Sequence, residues 1–180
     1  VKEKNQGTYL RLISSPTSNA VLYLGKIITY LIICLLQFYA ILLIAKLVFP
    51  FMQLPELNLS GNKVLLMSLL TLTAGIAAIS LGILLGIICK TQEQSAPFGA
   101  TFVVILAAIG GVWIPVFAMS DAMQILSKTS PMNWALNGYY DIMLRNGSLI
   151  DIIPEMLLLT LFFAVLITFA LLYDKKKRTV

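Results

Sequence analysis

The side chains of this chain that could do chemistry are few, and their spacing excludes most of it. The 180 residues contain no His and two Cys, Cys34 and Cys89. Read on helices, Cys34 lies deep in one apolar run and Cys89 at the end of the next. At ~1.5 Å per residue they stand on the order of 20 Å apart in depth, beyond disulfide reach. Neither has a companion at metal-ligand spacing, so no metal site is expected. No GxxxxGK[ST] loop is present to cradle a nucleotide. No carboxylate falls inside the apolar runs drawn below, which leaves the proton and cation relays of pumps and secondary transporters nothing to run on. Catalysis by this chain alone is not expected, and if it moves a solute uphill the energy comes from a partner.

The polar groups that remain point to contact rather than reaction. Lys26, Tyr30, Cys34 and Gln37 recur at helical spacing and mark a less apolar stripe. An amide at mid-membrane is unfavourable unless hydrogen-bonded, so Gln37 either ties helices together or lines a transport path. The stretch KEKNQGTYLRLISSP, from Lys2 to Pro16, is polar with one apolar face. As a helix it sets Tyr9, Leu12 and Ile13 on one side and Thr8, Arg11 and Ser15 on the other, ended by Pro16. Such a helix either lies in the lipid interface or presses its face into a soluble partner.

The elements that must position these groups are membrane spans. Hydrophobic residues make up 59% of the chain and charged ones 12%, with a mean hydropathy of +0.91. That composition describes an all-α integral membrane protein and excludes a soluble core. The net charge of +5 suggests no nucleic acid, because the cations stand at the ends of apolar runs instead of forming a face. Four runs emerge, at about 20–49, 64–89, 97–119 and 156–173, each near the ~20 residues a bilayer requires. Segment 1–19 precedes them, an outer segment spans 120–150, and a basic tail occupies 174–180. Lys2, Lys4 and Arg11 before the first run with Lys26 near its start, Lys90 after the second and Lys175 to Arg178 after the fourth place both ends in the cytoplasm. Position 1 is Val, without a signal pattern, so a longer parent chain is expected.

Local signals refine the runs. Thr71, Gly75, Ala78, Gly82 and Gly86 form a small-residue ladder along one face of the second, which predicts close helix packing at Gly75, Gly82 and Gly86. Ser95 before Pro97 reads as the cap of the third run. Gly110-Gly111 and Pro115 interrupt that run before it has fully crossed. The interruption is either a kink or a true break, and a break at membrane depth survives only when sheltered by protein or lining a cavity. Ser130-Pro131 opens a further short helix. Trp134, Tyr139 and Tyr140 are interface-seeking, and Met132 to Leu144 is too short to cross, so re-entrant or surface-lying helices fit. Asn146-Gly147 makes a turn and Pro154 opens the last span.

With these residues in view the chain resembles the permeases of type-two ATP-binding-cassette (ABC) transporters. Glu3, Gly7-Thr8, Leu12, Ser15-Pro16, Gly25-Lys26 and Gln37 carry the resemblance at the start. Lys90-Thr91, Gln94, Gly110-Gly111, Pro115, Met119, Ser130-Pro131, Trp134-Ala135 and Gly138 continue it in order. The resemblance covers essentially the whole chain and implies the carboxy-terminal half of an exporter permease. It also implies a second permease copy and a cytoplasmic ATPase that carries the ATP and magnesium, with nothing bound by this chain. The coupling helix to that ATPase would be Gly7 to Ser14, with Gly7, Thr8, Tyr9, Arg11, Leu12 and Ile13 at the contact. Gln37, Gly110, Gly111, Pro115, Pro131 and Trp134 would belong to the path or its outer gate. The two spans and outer region that open such permeases are missing, so the substrate is not readable. A secondary transporter or channel and a non-transporting scaffold are the alternatives.

Overall fold

The computed structural model describes residues 19–54, 59–89 and 91–178, and every regular element among them is helical. The helices are α1 (Asn19–Phe51), α2 (Gly61–Ile88), α3 (Gln92–Ile109), α4 (Asp121–Ser127), α5 (Pro131–Met143) and α6 (Leu149–Arg178), with a 3-10 turn at Val116–Ala118. Three stretches, Tyr23–Phe51, Gly61–Ile88 and Leu149–Asp174, are long and apolar enough to cross a membrane. They are apolar on nearly every face, which in water would be a fault and in lipid is the requirement. The chain is a membrane protein.

α2 is the centre, and α1, α3, α5 and α6 all pack on it. Leu66, Met67, Leu70 and Ala77 of α2 meet Ile142 of α5 and Ile152 and Leu159 of α6 in one core. Two tyrosines, one from α1 and one from α5, tie α2 to its neighbours. The Ser68 hydroxyl donates to Val64 O at 2.7 Å, so the 2.8 Å contact with Tyr39 has the α1 phenol as donor. Thr71 likewise donates to Met67 O and accepts from Tyr139 of α5 at 2.8 Å. Back-bonding to the preceding turn thus turns each hydroxyl into an acceptor for a neighbouring helix.

Several boundaries differ from the sequence expectation. α1 runs through Pro50, which falls at its penultimate position. The cap of α3 is Thr91, whose hydroxyl accepts from Gln94 N at 3.3 Å, and not Ser95. Thr91 is extended where the chain leaves α2, so the helix is already under way at Ser95. α3 stops at Ile109, about 27 Å long at ~1.5 Å per residue. It is thus shorter than the run to residue 119 and just under the ~30 Å hydrocarbon core. α6 starts at Leu149, well before Pro154, because the Asp151 carboxylate accepts from both Ser148 N (2.7 Å) and Ser148 Oγ (2.9 Å). With that cap the helix starts ahead of Pro154 and takes in Asp151 and Glu155, and at its other end it runs past Asp174. The helix is thus longer than the apolar run 156–173, which itself holds no carboxylate. At the far end the Tyr23 hydroxyl donates to Asp174 Oδ2 at 3.3 Å, joining the start of α1 to the end of α6.

Candidate functional site at the end of α3

The interruption at Gly110-Gly111 is a helix end and not a kink. Gly110 caps α3 in helical conformation and its N–H reaches Leu106 O at 2.8 Å. Gly111 follows with φ +90, a conformation open to glycine at little strain, and Val112 N bonds back to Ala107 O at 3.1 Å. A left-handed residue followed by that long backward bond is the Schellman termination. Pro115 plays a lesser part than its sequence position suggests. It is extended at φ −53, ψ 138 and leads into the 3-10 turn.

A helix that stops inside a bundle leaves carbonyls without donors. Here α5 supplies one for Gly110 O and a second donor for Leu106 O, which already accepts from Gly110 N. Ser130 holds the cap position of α5 with Pro131 in its first turn, as the sequence suggested, but its hydroxyl makes no bond to α5. It donates to Leu106 O at 3.0 Å, across to α3. The Asn133 amide donates to Gly110 O at 3.2 Å, and Asn137 Nδ2 donates to Asn133 Oδ1 at 3.0 Å, fixing which way that amide faces. Ser130 and Asn133 are buried. The approach is close enough that a Cβ on Gly110 would stand 2.7 Å from Leu106 O and from Met132 Cβ. Trp134 closes the far side, its indole N–H donating to Lys128 O at 2.7 Å and its ring edge-on to Phe162 of α6. Gly138 sits on Leu70 of α2, where a Cβ would come within 2.8 Å.

Gly110, Gly111, Pro131 and Trp134 are thus gathered at one place, with Pro115 at its edge. The cluster is neutral: its bonds come from hydroxyls, amides and an indole. Its donors are spent on protein acceptors, so it fixes backbone, and it offers no proton to transfer. Gln37 is not part of it. On α1 its side chain is exposed and bonds to no other described residue. Cys34, one turn earlier, is the residue of that stripe turned toward α2, where a Cβ on Gly75 would stand 3.2 Å from its sulfur. Gly82 and Gly86, further down the ladder, have nothing within 4 Å. The stretch Gly7, Thr8, Tyr9, Arg11, Leu12 and Ile13 lies outside the described residues.

Sequence reasoning missed Asn133 and Asn137, the pair that locks the end of α3, and the Tyr39–Ser68 and Tyr139–Thr71 bridges. The signals were present. Two Asn at i, i+4 in an apolar setting, and Ser or Thr within a long apolar helix, are groups that demand partners.

The chain was compared with known proteins. A family profile described as ABC-2 family transporter protein matches residues 1–172. The linearmycin resistance permease protein LnrN of Bacillus subtilis (strain 168) is 26% identical over 173 residues, covering 94% of this chain and 42% of that protein. The chain therefore spans less than half the length of this curated relative. No solved structure matches the chain significantly. With the profile covering all but the last few residues, the chain belongs to the ABC-2 family of transporter proteins.

Proposed function

We propose that this chain is the carboxy-terminal part of an ABC exporter permease, which moves its substrate outward with energy from a separate cytoplasmic ATPase. The observation that carries this reading is the end of α3. A helix that stops in the bundle and is completed by a short neighbouring helix is irregular backbone sheltered by protein, the form in which transport proteins tolerate breaks at membrane depth. α4 and α5 then act as the re-entrant outer segment, and α3 makes the fourth crossing together with them. The relative's role in resistance to linearmycin, as its name states, supports the outward direction here.

In this reading the coupling helix runs from Gly7 to Ser14. Tyr9, Leu12 and Ile13 enter a groove of the ATPase, and Gly7, Thr8 and Arg11 flank it. ATP and magnesium are bound by that partner and the permease does no chemistry of its own. A second permease copy completes the pathway in the cell membrane. Both ends of the chain face the cytoplasm, in keeping with the basic flanks and with the Tyr23–Asp174 contact that joins the ends of α1 and α6.

The test is co-purification of the full permease with its ATPase, followed by ATP-dependent transport in vesicles. Leu12→Glu should leave insertion intact and weaken ATPase docking tenfold or more. It removes roughly 1.5–3 kcal/mol of apolar burial and leaves a charge in its place. Transport that continues without any ATPase would establish a secondary transporter or channel. ATPase binding without transport would establish a scaffold.

A further inference from the structure

Among the described residues one buried side-chain oxygen has no hydrogen-bond partner, and it belongs to a carboxylate: Glu155 Oε2, in the second turn of α6. Ile152 and Leu159, three residues before it and four after, are fully buried, so Glu155 is on the inward side of α6. What it meets follows from the register of the α5–α6 hairpin. The rings of Trp134 and Phe162 touch at a centroid distance of 6.3 Å. About two turns onward along α5 from Trp134 is Asp141, and about two turns back along α6 from Phe162 is Glu155. Two carboxylates therefore stand level across an antiparallel pair of helices. Asp141 is nearly covered and is paired with Arg145 one turn further on, whose own side chain is 69% exposed.

We propose that Arg145 has two seats, Asp141 on its own helix and Glu155 on α6, and that the structure shows the first occupied and the second vacant. Leaving an acceptor oxygen shut from water with no donor is unfavourable by the ordinary cost of desolvation, so the vacant seat favours any movement that brings a donor to it. Two other polar groups of the hairpin are engaged, Asp151 with Ser148 and the Tyr139 hydroxyl with Thr71, and Asn146 in the turn between the helices is exposed. Tyr140, also on α5, is exposed, and Lys63, half-buried in the first turn of α2, is the competing cation. Exchange of the guanidinium between seats lets α5 shift along α6 without releasing its charge, a two-position latch at the end of the outer segment.

The test is thermal unfolding of the full permease in lipid nanodiscs and does not depend on transport. In the parent protein Glu155→Gln should leave Tm unchanged or raise it, since it removes an undonated charge. With Asp141→Asn in place Arg145 moves to Glu155, and the same Glu155→Gln should lower Tm by about 1–2 °C, the equivalent of one lost contact in a protein more than twice the length of this chain. In that background Arg145→Gln and Glu155→Gln should not add. Additive losses, the same sign in both backgrounds, or coupling of Glu155 to Lys63→Gln in place of Arg145 would overturn the proposal. Should Asp141→Asn fail to fold, the charge exchange Arg145→Glu with Glu155→Arg decides: recovery of the Tm lost in Arg145→Glu supports the second seat, and no recovery refutes it.

Discussion

At the scale of single residues, the bundle depends on glycines as points of approach and on hydroxyls as acceptors. Gly138 is the sharpest case. Leu70 is fully buried, and a Cβ at Gly138 would meet its methyls at 2.8 and 3.0 Å. Gly138→Ala should destabilise by about 1–3 kcal/mol, as overpacking of a full core does, and Leu70→Ala in the same chain should recover part of the loss. Unfolding temperatures of the two singles and the double check this, and strictly additive losses would count against the contact. Legibility in the sequence was uneven at this scale. Gly110 and Gly111 were conspicuous because two helix-weakening residues in an apolar run have a local meaning. Asn133 was not, because its partner is a carbonyl 23 residues away, and a bond of that range leaves no periodicity to read. Gln37 stood out for its polarity alone, and the structure turns it outward while Tyr39, with its polar tip at the end of an apolar ring, makes the bridge.

At the scale of elements, α1 and α2 were legible to within three residues, since apolar runs of membrane length admit little else, while α3 and α6 were not. Their starts were missed because a cap depends on which of several nearby hydroxyls reaches a free N–H: Thr91 over Ser95, and Ser148 with Asp151 well ahead of Pro154. Of the small-residue ladder of α2, read as one surface, Gly75 meets α1 while Gly82 and Gly86 meet no described residue. Gly75→Leu should destabilise the fold, since Leu31 and Cys34 of α1 already stand 3.2 Å from a Cβ there. Gly82→Leu should leave the stability of the isolated bundle within about 0.5 kcal/mol, having open space around it. Equal losses in the two variants would show that α1 does not pack where the structure has it. The outer segment makes its own prediction. Cysteines introduced singly at Ile125, Lys128, Tyr140 and Arg145, in a background with Cys34 and Cys89 replaced, should react with an impermeant reagent added from outside. Those at Ser127, Ser130, Asn133 and Ile142 should be protected. Uniform labelling would mean an ordinary exposed loop.

At the scale of the whole molecule, composition alone settled the class, because a chain so apolar has only lipid as a compatible solvent. The architecture is a central helix with neighbours on several sides, while α1 and α6 keep most of their apolar surface outward. The termination of α3 also bears on how such a molecule is made. The donors that complete it, Ser130 and Asn133, lie 24 and 23 residues downstream of the carbonyls they serve. At ~5–20 residues per second of synthesis, α3 leaves the ribosome a second or several before its partners exist. During that interval Gly110 O lacks its donor, although Leu106 O already accepts from Gly110 N, and the end of α3 must remain near water or the insertion machinery. Chains truncated after Ser127 should accordingly be cleared by membrane quality control, whereas chains truncated after Arg145, which include the donors, should persist longer. Pulse-chase lifetimes of the two truncations measure this, and equal lifetimes would mean that α3 is complete without α5. The end of one helix thus sets a timetable for the birth of another.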